Sequence, residues 1–353
     1  MQTERRSERM RSAAALTALL IVAHAGAAEL QLLEDAACTT IRLDKSPYPS
    51  SRVPVQDQGG TQLCSAYAAA QLADSWRLRK DPTALLSSPI SIALENASVG
   101  GANRINDLPV LDLMRRINEL RPCNYNEVGD TFGTDGPADF IFKLIQIYRS
   151  ANESQQMYPK VASALDTLLQ SAGLRRPDRM ISLLQLPNWV AFVSSAVNGS
   201  CQKTIDMKSL PPVTFYKSSM APSRSEAMKT MRDMINVHLE RQSQPVGISY
   251  CKSVLLDRDS GGVSESGILN TSTCSGQVHA SVVLGRRLAR YVKDDGKEAT
   301  ICQFLVRDSY GGSCGKYGDD PRTTPNQTCE RGQVWVDENA LMQNTSEVFL
   351  LRE

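Results

Sequence analysis

Nine cysteines stand in this chain, all of them downstream of a segment built for export, and together these two features constrain the fold more than any other. Arg5, Arg6, Arg9 and Arg11 precede an apolar stretch over 13–25 that closes on Ala25-Gly26-Ala27-Ala28. A basic start, a short apolar middle and small residues at the end are the parts of a secretory signal peptide. Residues 1–28 are therefore expected to be removed by cleavage after Ala27 or Ala28, leaving an exported protein, extracellular or periplasmic. The apolar stretch is too short for a membrane anchor and no later run approaches a spanning length, so no membrane partner is expected after cleavage. In an oxidising compartment thiols pair. Cys38, Cys64, Cys123, Cys201, Cys251, Cys274, Cys302, Cys314 and Cys329 are odd in number. Removing one leaves enough for four bridges, and the question becomes which cysteine stays free.

Charge excludes some functions. Lys+Arg number 39 and Asp+Glu 38, and the basic excess falls in the first 28 residues, so the remainder is close to neutral. Such a surface offers no basic field for nucleic acid and no attraction to an anionic membrane. With 41% hydrophobic and 22% charged residues the chain is of the folded globular class, and its 353 residues are enough for two lobes.

Residues 29–52 form a polar lead-in. Val53-Pro54-Val55-Gln56-Asp57-Gln58-Gly59-Gly60 then turns through two glycines into the Ala-rich run from Cys64 to Ala73, which reads as a helix beginning near Cys64. A second helix is expected over 109–120 from the spacing of Leu111, Met114, Ile117 and Leu120. Residues 126–241 look mostly helical. Phe140, Ile141, Leu144, Ile145 and Tyr148 recur on one face, as do Ala162, Leu165, Leu168 and Leu169, and Ser223 with Glu226 forms a capping-box pattern. From Pro245 the texture turns to short strands at 246–250, 278–284, 303–306, 333–336 and 348–351. Helices first and strands last make the expected class α+β with two lobes. The expected divisions are 1–28 signal, 29–125 lead-in and helical lobe, 126–241 helical insertion, and 242–353 β-rich lobe.

Cys64 stands where a glycine-bearing turn becomes a helix, and there backbone N–H groups and the helix dipole stabilise a thiolate. Gln58, six residues earlier, can donate its amide to an oxyanion beside the Cys64 N–H. After the signal segment only two histidines remain. His238 lies on the apolar face of a predicted helix and reads as a packed histidine. His279, in the glycine-flanked strand pattern Val278-His279-Ala280-Ser281, is the candidate base. Asp308, at the end of Phe304-Leu305-Val306-Arg307 and before Ser309-Tyr310-Gly311-Gly312, is placed to orient the imidazole.

The ordered set of Gln-x5-Cys, a later Val-His-Ala strand and a still later Asp-Ser-aromatic-Gly turn resembles the papain-like cysteine proteases. The resemblance spans roughly 53–125 and 244–337. It implies a papain-like two-lobe fold with an extra helical insertion. It also implies a catalytic triad of Cys64, His279 and Asp308, an oxyanion hole at Gln58, and substrate-binding backbone at Gly100 and Gly101. Pro245-Val246-Gly247-Ile248-Ser249 is similar to the family strand that precedes the histidine segment. The implied activity is a thiol peptidase (a hydrolase), with a peptide or protein as substrate and a protein inhibitor as a further partner. The family usually has Asn where Asp308 stands and Trp where Tyr310 stands. A Trp commonly follows the nucleophile, where this chain has Ser65. Thr61 and Gln62 replace a customary Cys and Gly, so one family bridge is missing.

A transglutaminase-like acyl transferase also uses Cys, His and Asp in this order, and a non-catalytic papain-fold binding module is the alternative outside enzymology. No cofactor and no metal are expected, because two histidines and mostly bridged cysteines leave no ligand cluster. Cys314 and Cys329 are expected to pair across the local loop 315–328. Segment 126–241 is expected either to restrict access to the cleft or to decorate the first lobe.

Overall fold

Among the described residues an eight-stranded antiparallel sheet gathers mostly segments of the second half of the chain, and a helix buried along most of its length joins it to a helical layer. The computed structural model describes residues 38–59, 61–99, 109–127, 136–153, 158–172, 174, 180–256, 278–292, 298–317 and 328–352. In chain order these hold β1 (Ile41–Arg42), α1 (Cys64–Lys80), α2 (Pro89–Val99), α3 (Val110–Arg116), α4 (Gly136–Glu153), α5 (Tyr158–Ser171), α6 (Met180–Leu183) and α7 (Trp189–Asn198). They continue with β2 (Val213–Lys217), α8 (Arg224–Val237), β3 (Val246–Cys251), α9 (Ser253–Leu256), β4 (Val278–Val292) and β5 (Glu298–Arg307). The last are β6 (Thr328–Glu330), β7 (Gln333–Asp337), α10 (Glu338–Asn344) and β8 (Thr345–Leu351). The class is α+β, as expected.

The strand order is β2-β8-β3-β4-β5-β7-β6, with β1 pairing β4 beside this path. Every residue of β3 is buried, and so is His279–Leu284 of β4. Central strands covered on both faces read as continuous apolar runs, which is why these two were legible in the sequence. β4 and β5 extend well past the expected 278–284 and 303–306, pairing from Val282↔Arg307 to Val292↔Glu298.

α1 is the hub. Residues Ala66 to Trp76 are all buried, and α1 packs on β4, on α2 and α3, and on the 3-10 turn Pro49–Arg52 of the lead-in. Its run of alanines suits this position, since a methyl group lets neighbouring backbones approach from several directions without loss of helix propensity. The second expected helix is present as α3 followed by a 3-10 turn over Ile117–Glu119.

In the 126–241 segment, α4 buries Phe140, Ile141, Leu144 and Tyr148, and α5 buries Leu165 and Leu169, on the faces the periodicity indicated. α7 packs on α2, and α4 packs on both α5 and α7. The later part of the segment behaves differently. β2 is a strand, read from sequence as part of the helical stretch, and pairs with β8 from Val213↔Leu351 to Lys217↔Glu347. α8 packs on α10 and β8, and Ser223 caps it by accepting from the Glu226 N–H at 3.2 Å. β2 was missed because all five of its residues are only partly buried, so its pattern carries no alternation.

Cys123–Cys201 and Cys314–Cys329 are bridged, the second as expected, and Cys251 is disulfide-bonded as well. Cys38, Cys64 and Cys302 carry free thiols. Among the described residues two thiols besides Cys64 are unbridged, against an expectation of one free cysteine. Cys274, Gly100 and Gly101 lie outside the described residues.

Candidate active site

Cys64 is the first residue of α1. Leu63 at the N-cap offers no side-chain acceptor to the first turn, so the helix enters the site with its N–H groups leading. The preceding turn is held by the turn that follows β5. The Gln58 N–H donates to the Ser309 carbonyl at 2.7 Å, the Gly311 N–H donates to the Gln56 carbonyl at 3.0 Å, and Asp57 bridges Tyr310. Gly311 has φ +82°, and a Cβ there would come within 2.9 Å of Asp57 Oδ2, so this close approach requires glycine. Two segments some 250 residues apart in sequence are thereby zipped together, each bearing part of the site.

His279 stands on β4 opposite Tyr250 of β3. Its Nε2 lies 2.5 Å from Asp308 Oδ1, and the imidazole hydrogen-bonds the Cys64 thiol, which also receives the Ala280 backbone N–H. Asp308 Oδ1 further accepts from Ser281 Oγ at 3.1 Å and from the Ser309 N–H at 2.7 Å. Tyr250 lies 3.0 Å from Ser281 Oγ and meets the His279 ring edge-on, with centroids 5.7 Å apart. Tyr310 stacks flat on the imidazole at 5.2 Å, and the Lys252 ammonium lies 5.1 Å from the Tyr310 ring. The imidazole is thus held by hydrogen bonds at two points and by aromatic contact on one face and one edge.

Gln58 is buried. Its Oε1 accepts from Ser309 Oγ at 3.0 Å, and the Tyr310 hydroxyl also hydrogen-bonds its side chain.

The electrostatics follow from this packing. Burial alone would push the Cys64 thiol up, and Asp308 adds to that. The hydrogen bond and charge of His279 outweigh them, together with the Ala280 N–H, so the thiol lies below its ordinary value. Burial would lower His279, but the charge and hydrogen bond of Asp308, then Cys64, raise it to about 10. Each member of the pair favours the ionised form of the other. Burial, then the neighbouring Asp308 carboxylate, holds the Tyr317 phenol protonated.

The structure therefore brings together Gln58, Cys64, His279 and Asp308 from three separated segments. His238 is elsewhere, buried at the C-terminal end of α8 and lowered to about 4 by burial, which leaves it neutral. Ser309 was read only as part of the Asp-Ser-aromatic-Gly turn, and Ser281, Tyr250 and Tyr317 were not singled out in the sequence. A period-2 rule could have found Ser281, two residues after His279 and on the same face of β4. Tyr250 and Tyr317 reach the site only through tertiary packing.

No family model and no curated protein matches the chain. Among solved structures, it is similar to SERA5E from Plasmodium falciparum at 14% identity and a TM-score of 0.41, covering 90% of this chain and 97% of that one. It is similar to xylellain, a cysteine protease from Xylella fastidiosa, at 13% identity and a TM-score of 0.40, with 90% and 87% of the two chains covered. A third similar structure is digestive procathepsin L 3 of the Tenebrio molitor larval midgut, at 11% identity and a TM-score of 0.44, covering 91% of this chain and 72% of that one.

Proposed function

We propose that the protein is an exported papain-like thiol peptidase. The observation that carries this reading is the hydrogen-bonded relay from Cys64 through His279 to Asp308, whose sulfur lies below and whose imidazole lies above its ordinary pKa. A thiolate beside an imidazolium is the reactive form of a cysteine nucleophile. Bridged cysteines support export, since such bonds persist in oxidising compartments.

In this mechanism the Cys64 thiolate attacks the carbonyl carbon of a peptide bond. The resulting oxyanion accepts from the Cys64 N–H at the start of α1 and from Gln58 Nε2, the Gln58 Oε1 being occupied by Ser309. His279 donates its proton to the leaving amine as the C–N bond breaks, giving a thioester. Neutral His279 then takes a proton from water as that water attacks the thioester. The acid product leaves, and the thiolate–imidazolium pair is restored. Asp308 keeps Nε2 engaged throughout and leaves Nδ1 for the proton exchanged with sulfur.

The test is covalent labelling with an epoxysuccinyl peptide, read by mass mapping beside peptide hydrolysis. The expected result is one adduct, on Cys64, with loss of hydrolysis. Cys64→Ala is expected to abolish hydrolysis and leave the melting temperature unchanged, because this cysteine closes no bridge. A folded protein that neither hydrolyses peptides nor labels at Cys64 would instead be a binding module on the same fold. Amine incorporation without hydrolysis would identify an acyl transferase.

A further inference from the structure

Away from the catalytic relay, the two other free thiols meet. Cys38 stands in the lead-in three residues before β1, and Cys302 lies on β5. β1 pairs Ile41 with Arg286 of β4, and β4 pairs Leu288 with Cys302, so the register carries both cysteines to one region of the sheet. There the two thiols are hydrogen-bonded to each other, half-buried beside Arg286 and Glu338. Those two residues form a buried ion pair with Arg286 Nε 2.8 Å from the Glu338 carboxylate, joining β4 to α10. Two thiols in contact, in a chain that bridges other cysteines, have the arrangement of a disulfide in its reduced form.

We propose that Cys38 and Cys302 close a further disulfide that fastens the lead-in to the sheet. In this step the two Sγ–H bonds break, one Sγ–Sγ bond forms and two protons pass to solvent. The two electrons, with two protons taken back up from solvent, reduce the disulfide of an exchange partner, such as glutathione disulfide, to two thiols. Residues 38–40 belong to no strand, so the small displacement that brings the sulfurs to bonding distance falls on the lead-in and leaves the sheet ladder intact. Expected signal cleavage after Ala27 or Ala28 retains Cys38. Burial, then the adjoining Cys302 sulfur, pushes the Cys38 thiol up to about 12, so the folded dithiol reacts slowly and the bond, once made, is shielded from external thiolates. This behaviour suits a structural fastening rather than a cycling redox pair. It does not depend on the peptidase reading.

The experiment equilibrates the full purified chain with a glutathione redox buffer, then denatures it, alkylates it with iodoacetamide and maps peptides without reductant. The expected map contains a Cys38–Cys302 linked peptide, with loss of alkylation at both residues and Cys64 alkylated. In Cys302→Ser, alkylation of Cys38 is expected to return while the Cys123–Cys201 and Cys314–Cys329 links persist. Alkylation of both Cys38 and Cys302 in the unaltered chain with those two links intact would overturn the proposal. So would a link from either cysteine to any other. The unaltered chain decides the matter even if the serine variant fails to fold.

Discussion

Asp308 Oδ1 serves three donors at once, the His279 ring, Ser281 Oγ and the Ser309 N–H. The residue therefore supplies both an acceptor and a charge, and substitutions can separate the two. Asp308→Asn keeps an acceptor oxygen and is expected to retain substantial kcat/KM, whereas Asp308→Ala is expected to lose about a hundredfold or more. The pH profile should separate them further. Activity rises as pH passes upward through the lowered pKa of Cys64, and falls as His279 loses its proton near pH 10. Asp308 is the chief group raising His279, so the Asn variant should move the alkaline limb to lower pH. Equal losses in Asn and Ala variants at every pH would show that orientation of the ring is not what Asp308 contributes.

Within α1, Asp74 is wholly buried, accepting from the Ser87 N–H at 2.8 Å and Ser87 Oγ at 3.0 Å and pairing with Arg77 at 3.2 Å. It fastens the middle of the hub helix to the segment that starts α2. Burial overcomes these partners and raises the carboxyl to about 7. The folded pKa lies above the unfolded one, so the associated stability is full below about pH 4 and is lost as pH rises through about 7. The loss should amount to roughly 2–4 kcal/mol. Asp74→Asn keeps an acceptor for Ser87 and cannot ionise. Its melting temperature is expected to lack the wild-type decline between pH 4 and 7, and a variant with the same slope as wild type would refute this assignment.

For the molecule as a whole, the helical layer α4–α7 rests on α2, while the proposed active site lies where α1 meets β4 and the turn after β5. Phe192 of α7 is fully buried and packs on Tyr148 of α4 with centroids 5.2 Å apart. Phe192→Ala is expected to cost about 3–5 kcal/mol, seen in denaturant unfolding. The part that remains folded should keep its pH profile and substrate range, because α4 and α7 pack on each other and α7 packs on α2 rather than on the residues of the proposed site. A changed substrate range in that variant would show that the layer shapes access to the cleft.

Much of the candidate site was legible because its residues carry local signatures. Gln58 and Cys64 flank a glycine turn into an Ala-rich helix, His279 lies in a glycine-flanked strand pattern, and Asp308 ends another. The α+β class was also legible, because helical periodicity gives way to strands after Pro245. Several features were decided only in three dimensions. Ser309 locks Gln58, Tyr310 stacks on His279, and Cys38 meets Cys302, each through a pairing between segments far apart in the chain. β2 joined the sheet without any alternation of its own. Hydrophobic periodicity records which face of an element is buried, but it does not record what that face is buried against. The sequence by itself determined the elements and the reactive residue types. The tertiary structure decided which side chains share a proton, which thiols touch and where the helical layer rests, because those depend on contacts no local pattern encodes.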